Sequence, residues 1–351
     1  EMSGAIFQTT SDTEVIAYTI TRARLNTGSI EAAVEAAMKR IVGAYSLVVM
    51  SPTKLVAARD PMGFRPLCMG KIGDSIVFAS ESCSLDAVGA TLIRDIKPGE
   101  IVMVNQDGVH SKQVFPEAGE TPKGACIFEY IYFARPDSTI DGASVHLARQ
   151  RAGMFLAKQH PVDADVVIGV PDSGLDAALG YSIESGIPYD IGFLKNKYIG
   201  RTFIAPGQAR RENDVRIKLN PIASAVRGKR VVLIDDSIVR GTTSLKIVKL
   251  LREAGATEVH FRVSAPPFMY PCYFGTDIDS SDKLIAFNHT IEETAQIIGV
   301  DSLGYLSIEC LPELAENKLA GICNGCFTGK YPVEPPKNVE KSKFEKRISE
   351  Q

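Results

Sequence analysis

The sequence predicts two unlike modules in series: an α+β half over residues 1–120, a doubly wound parallel α/β sheet over residues 121–335, and a polar tail over 336–351. Three observations carry this. Four aliphatic residues, Val231 to Ile234, run into Asp235-Asp236 and then through a short polar loop into the helical periodicity of Ser244 to Leu251. From Ala125 onward strand-like and helix-like stretches alternate, which implies a parallel sheet covered on both faces. Before residue 120, short β-rich runs are separated by Gly, Pro and Asp turns, the pattern of antiparallel pairing.

At the amino end, Ser11-Asp12-Thr13-Glu14 has the spacing of a capping box, with Ser11 as N-cap and Glu14 three residues on, and Val15, Ile16, Tyr18 and Thr19 continue as a helix face. A second helix is expected from Ser29 to Val42. The β-rich runs are Tyr45 to Met50, Leu55 to Ala58, Ser75 to Ala79 and Ile101 to Val104. Phe115 to Gly124 reads as a linker. The second module then offers a helix over Val145 to Lys158, a buried strand over Ala164 to Val170, a helix over Gly174 to Ser185 and a strand over Tyr189 to Leu194. After the 231 strand come a strand over Glu258 to Ser264 and a helix over Glu292 to Ile298.

A chain of 351 residues has room for two domains, and 45% hydrophobic with 23% charged residues is an ordinary soluble composition. A net charge of −3 gives no reason to expect nucleic acid or an acidic membrane as a partner. The longest apolar-rich stretches, such as Ile41 to Met50, are too short to span a bilayer, and no leader pattern opens the chain, so a cytoplasmic location is expected. Seven cysteines, an odd number, do not suggest a secreted disulfide framework.

The chemistry is concentrated at residues 231–243. In parallel sheets ligands sit beyond the carboxyl ends of the strands, where Asp235 and Asp236 fall. Gly241 allows close backbone approach, and the hydroxyls of Thr242 and Thr243 with the free N–H groups of a starting helix form a phosphate cradle. Carboxylates at one end and a phosphate cradle at the other suit a sugar phosphate, with ribose hydroxyls or Mg²⁺ on the acids. A capped turn after a buried strand is the plainer reading. A P-loop is excluded because the three Gly-Lys pairs are followed by Ile72, Arg230 and Tyr331, and no two of the 29 glycines stand two apart, so dinucleotide binding lacks its fingerprint.

Val231 to Thr243 resembles the thirteen-residue signature of the type I phosphoribosyltransferases, which bind phosphoribosyl pyrophosphate (PRPP), and fits it at every position. The resemblance implies a PRPP site made of Asp235, Asp236, Ser237, Arg240, Gly241, Thr242 and Thr243, with the ribose and Mg²⁺ on the two acids. It assigns Pro171, Asp172 and Ser173 to the pyrophosphate loop, Ser173 joining the acids around Mg²⁺; as residues alone, this is a strand-to-helix turn able to offer N–H groups to an anion. Lys195 and Lys197 open a cation-rich stretch reaching Lys218, an ordinary surface loop by composition and a closing lid by resemblance.

The first module is similar to the glutaminase domain of the N-terminal-nucleophile amidotransferases at Ser11 to Glu14, Asp60 to Leu67, Ala79 to Ser82 and Lys97 to Glu100. That similarity implies that Asp12 holds the amino group of glutamine. By position alone, Asp12 is an acid favoured by the helix dipole. The family's nucleophilic terminal Cys has no counterpart, since no Cys precedes Cys68. The expectation is therefore a glutaminase module lacking its front part, with this chain using free ammonia.

Cys323-Asn324-Gly325-Cys326 is a C-x-x-C that by itself fits half a zinc site, a redox pair or two cluster ligands. Resemblance to the cluster-bearing branch of the PRPP amidotransferases adds Cys126 and Cys272 and implies a structural four-iron four-sulfur cluster. Cys68, Cys83 and Cys310 read as small buried hydrophobes. The five histidines are scattered, and none is assigned to a site. Taken together, the resemblance implies PRPP and glutamine or ammonia as substrates, purine nucleotides as feedback inhibitors, a homo-oligomer, and the first step of purine biosynthesis. The rival is a non-catalytic PRPP- or nucleotide-sensing regulator on the same fold.

Overall fold

The computed structural model describes residues 7–9, 11–196, 219–276, 278 and 280–336. The first module has helices α1 (Asp12–Arg24) and α2 (Ile30–Met38) on a four-stranded antiparallel sheet in the order β1-β2-β6-β7. Its strands are β1 (Ser46–Met50), β2 (Leu55–Arg59), β6 (Glu100–Asn105) and β7 (Gly108–Gln113). A three-stranded sheet, β4-β3-β5, is built from β3 (Cys68–Ile72), β4 (Ser75–Ala79) and β5 (Thr91–Asp95), with helix α3 (Ser82–Ala87) between the last two. One face of the larger sheet buries Val56, Ala58 and Ile101 against Ala33, Val34, Ala37 and Met38 of α2, while Ala57 and Val102 point the other way into a second small core with Leu67, Met69 and Ile96. That alternation is the period-2 pattern of a strand buried on both faces.

Both predicted amino-terminal helices form, but the capping box does not. Ser11 accepts the N–H of Thr13, and Glu14 reaches back past Ser11 to the N–H groups of Gln8 and Thr9. The carboxylate thereby closes the turn before the helix, which still places an acid at the positive helix end.

In the second module a four-stranded parallel sheet runs β11 (Val166–Gly169), β14 (Arg230–Asp235), β15 (Glu258–Val263) and β16 (Ser302–Tyr305) in spatial order. Val231, Val232, Leu233 and Ile234 have no exposed surface, as a central, doubly covered strand requires. Helices α4 (Val145–Gln159) and α5 (Leu175–Ser185) cross so closely that a Cβ on Gly153 would stand 1.8 Å from the carbonyl oxygen of Ala177, and one on Gly180 1.9 Å from that of Gln150. Helices Thr242–Glu253 and Ile291–Ile298 complete the cover, the latter with a capping box from Thr290 and Glu293.

The strand expected over Tyr189 to Leu194 is not one strand. Tyr189 makes an isolated bridge to Val167, and the chain then leaves the sheet to form β12 (Phe193–Lys195), which pairs antiparallel with β13 (Leu219–Pro221). Gly192 is the departure point, pressed against the Ile168 side chain where no Cβ would fit. Short parallel β8 (Ala125–Cys126) and β17 (Ile322–Cys323) and the hairpin of β9 (Thr139–Ile140) and β10 (Ala143–Ser144) tie the junction between modules. Glu129–Phe133 is a π-helix, the widened turn often found at functional positions. No helix among the described residues is long and apolar enough to cross a membrane.

Candidate active site and cysteine centre

Register builds the site. Adjacent parallel strands β11 and β14 pair Gly169 with Ile234, so the loops that follow them leave the sheet side by side. Val170 N–H donates to the carbonyl of Ile234 at 2.8 Å, and a Cβ on Gly174 would stand 2.5 Å from that same oxygen. The loop lies flush on the strand end only because residue 174 has no side chain. Ser173 Oγ thereby reaches Asp236 Oδ2 and donates to it, while Ser237 donates to Asp236 Oδ1. The Pro171–Asp172 peptide is cis.

Asp235 and Asp236 are both buried. Burial and the Asp236 charge push the Asp235 carboxyl well above the usual range. Burial also raises Asp236, against the hydroxyls of Ser173 and Ser237 and the charge of Arg149. Two adjacent acids out of water with so little cationic support form a site that gains from an added cation or hydroxyl donors. Arg149, on α4, is a missed residue: it is buried, donates to the carbonyls of Tyr130 and Ala134, and sends positive charge toward Asp236. An arginine amid Ala148 and Ala152 on the buried side of a helix was the available signal.

Beyond Asp236, the backbone turns through exposed Arg240 and buried Gly241, whose φ of 75° is left-handed, into the helix beginning at Thr242. A Cβ on Gly241 would lie 2.5 Å from Ile285 Cδ1. No side chain caps this helix, which leaves its first-turn N–H groups without a side-chain acceptor beside exposed Thr242 and Thr243. Lys195 extends from β12 and pairs with Asp172 of the facing loop. Lys197 lies outside the described residues, as does the rest of the expected lid through residue 218.

Asp12 stands apart from this site, exposed at the first turn of α1, on the wall of a cavity of about 560 Å³ also lined by Tyr45, Arg65, Glu81, Glu129 and Phe274.

The four cysteines named from the sequence converge, although they lie up to 200 residues apart. Cys126 and Cys323 are register partners in β8 and β17. The carbonyl of Cys326 accepts the N–H groups of Met269 and Tyr270 at 3.0 Å, which brings the C-x-x-C turn onto the chain leading to Cys272. Tyr331 closes the turn, its ring filling the space beside Gly325 and its hydroxyl donating to Pro271 O at 2.6 Å. Burial first, then the neighbouring thiols, pushes Cys326 well above the ordinary thiol range, and burial raises Cys126 to about 12 and Cys323 to about 11. Thiols this reluctant to ionise alone become ligands when a metal centre supplies the positive charge. Among the described residues no three His, Cys, Asp or Glu side chains close on a single-ion site. A multi-iron cluster is wider than one ion, and four cysteine thiolates are its usual ligand set.

A glutamine amidotransferase domain model matches residues 1–87, and a phosphoribosyl transferase domain model matches residues 145–268. Among curated proteins, the amidophosphoribosyltransferase of Bacillus subtilis is 48% identical over 338 residues, covering 95% of this chain and 70% of that one. That of Methanocaldococcus jannaschii is 50% identical over 346 residues, covering 95% and 73%. Among solved structures, glutamine PRPP amidotransferase from B. subtilis, complexed with ADP and GMP, superposes with a TM-score of 0.87 at 47% identity, covering 96% of this chain and 74% of that chain. A structure described as the allosteric regulatory enzyme of purine biosynthesis gives 0.86 at 47% identity, covering 96% and 72%.

Proposed function

The chain belongs to the amidophosphoribosyltransferase family, and from that premise we propose how its residues divide the family's reaction. The reaction is a glycosyl transfer: ammonia derived from glutamine displaces pyrophosphate from C1 of PRPP, giving phosphoribosylamine at the start of purine biosynthesis. The regulator reading finds no support among the relatives, which carry the enzyme's name. One observation carries the assignment of the site: the Ser173 to Asp236 hydrogen bond, which joins the two strand-end loops side by side.

Arg240, Gly241, Thr242 and Thr243 hold the 5-phosphate by charge, hydroxyls and helix N–H groups. Asp235 and Asp236 accept hydrogen bonds from the ribose hydroxyls, with Ser237 orienting Asp236. Pro171, Asp172 and Ser173 cradle the pyrophosphate, and Lys195, once its Asp172 partner is displaced, neutralises charge on the leaving group. Asp235, Asp236 and Ser173 present the oxygen set that Mg²⁺ prefers, and the ion when bound would neutralise the acids and the pyrophosphate together. The transition state is oxocarbenium-like, with no covalent nucleophile in this half. Asp12 serves the amino group of glutamine in the first module. We divide the chain into a glutaminase module over 1–120, a transferase module over 121–335 and a tail. Purine nucleotides as inhibitors and a homo-oligomeric assembly belong to the same reading; the ADP and GMP of the B. subtilis relative support the nucleotides.

Cys126, Cys272, Cys323 and Cys326 hold a four-iron four-sulfur cluster that cross-links the start and end of the transferase module. Anaerobically purified protein is expected to contain iron and acid-labile sulfide. Cys326→Ser is expected to lose both and to unfold at lower temperature, because a cross-link that favours the folded chain is gone. Stoichiometric zinc without iron would replace the cluster by a zinc site. The activity is tested by pyrophosphate release from PRPP with ammonia and Mg²⁺; tight PRPP binding without release would return the regulator to consideration.

A further inference from the structure

Arg65 belongs to the first module by sequence, yet its side chain lies among the elements that carry the cysteines. Its guanidinium pairs with Glu129 of the π-helix and sits 4.5 Å from the centre of the Phe133 ring. It also abuts the turn after Cys272: a Cβ on Gly275 would fall 2.6 Å from Arg65 Nη2. That turn directs the N–H groups of Phe274 and Thr276 at Cys272 Sγ, each at 3.4 Å. On the other side, the carbonyl of Phe64, next in the chain, accepts the N–H of Cys126 at 3.0 Å. The segment 64–65 therefore touches two of the four cysteine-bearing segments, the Cys126 strand through its backbone and the turn after Cys272 through its side chain.

We propose that Arg65 is a positioning residue for the cysteine centre: its cation, supplied by the first module, braces the Cys272–Thr276 turn and balances the negative charge of the ligated sulfurs. The inference rests on the cluster reading above. The guanidinium is held between Glu129, the Phe133 ring and the turn that follows Cys272. The side chain is only 20% exposed, so water screens these interactions weakly. Glu129, itself nearly buried, accepts from Nη1 while the planar guanidinium lies over the Phe133 ring, a combination that the point charge of a lysine would not reproduce. The consequence is that retention of the cluster in the transferase module depends on a residue of the glutaminase module.

The test compares the full chain with Arg65→Met and Arg65→Lys, all prepared anaerobically. Iron and sulfide per chain, the midpoint potential of the bound cluster and the rate of iron loss to a chelator are measured. Arg65→Met is expected to shift the midpoint negative, because removing a nearby cation disfavours an added electron, and to lose iron several-fold faster. Arg65→Lys is expected to restore most of the potential but not the slow loss, since it keeps charge without the fork. Arg65→Met with unchanged potential and unchanged loss rate overturns the proposal. If Arg65→Met does not fold, Arg65→Lys decides: faster loss supports the role and an unchanged rate overturns it. A wild-type chain without iron or sulfide removes the cluster reading, and this inference with it, whereas a loaded wild type indifferent to residue 65 removes the inference alone.

Discussion

Replacing Asp235 and Asp236 together by Asn is expected to lower PRPP-dependent pyrophosphate release by on the order of 10³-fold or more, since removal of even one preorganised polar group from an active site costs 10²- to 10³-fold. The fold should survive. Both acids are buried at the sheet end, and the changes remove charge without removing volume. In the ligand-free protein the variant should even gain stability relative to wild type as pH rises. Each carboxyl has a folded pKa above its unfolded value, through burial and, for Asp235, the Asp236 charge. The native state therefore binds more protons than the unfolded state above the ordinary carboxyl range, and wild-type stability falls as pH rises through that window. Neutral Asn does not titrate, so the melting temperature of the variant relative to wild type should increase between pH 5 and pH 8. Thermal shift by PRPP with Mg²⁺ should appear in wild type and vanish in the variant. Near-normal turnover, or a ligand shift equal to wild type, would show that these acids serve the strand end and not the substrate.

Much of this site was legible because its chemistry is local in sequence. Val231 to Thr243 contains the strand, the acids, the turn glycine and the helix start in one stretch, and β14 extends the expected core by only one residue at each end. The strand-to-helix turn at Pro171 to Gly174 was legible for the same reason. What escaped was chemistry assembled from distance. Arg59, Arg65 and Arg149 look like surface residues in their own neighbourhoods, and only the fold shows that two of them lie at the junction of the modules and the third behind Asp236. Strands β3, β5 and β7 were missed because exposed sheet faces and Gly70 dilute the alternation that signals a strand. Strand β16 is four residues long, with Gly304 inside it, too short and too weakly β-forming to stand out. The Ser11 to Glu14 pattern was real but answered a different need, since Glu14 found unpaired N–H groups earlier in the chain than the box assumes.

Substituting Arg59 by Met should destabilise the protein by about 3–5 kcal/mol near neutral pH, the usual cost of removing one partner of a buried ion pair. Arg59 lies at the end of β2, is 1% exposed, and uses its whole fork: Nε donates to Arg65 O at 2.8 Å, Nη1 to Ile96 O at 2.9 Å and Asp141 at 2.7 Å, and Nη2 to Gly63 O at 3.2 Å and Asp141 at 2.9 Å. Asp141 sits in the turn between β9 and β10, so this pair fastens the second module's hairpin to the first module. Methionine fills similar volume but leaves the Asp141 carboxylate and the carbonyls of Ile96 and Gly63 without these donors, while Arg65 O keeps only the Ser46 hydroxyl. The deficit should depend on pH in a stated direction. Burial raises Asp60 to about 6 against the N–H of Phe64 and the charge of Arg59, and burial with the Asp141 charge raises Asp95 to about 6 against Arg59. Both folded values exceed the unfolded carboxyl value, so stability falls as pH rises through about 6. Without the Arg59 cation these carboxyls hold protons more tightly, and the fall continues to higher pH. Urea unfolding of Arg59→Met should therefore show its largest deficit at pH 8 and a smaller one at pH 5.5, where protonated acids no longer need the cation. Adding Asp141→Asn should recover part of the loss at pH 8, because the orphaned charge is removed. An equal deficit at both pH values, with no recovery in the double variant, would mean that Arg59 acts only by packing and that the charge pair across the junction contributes nothing.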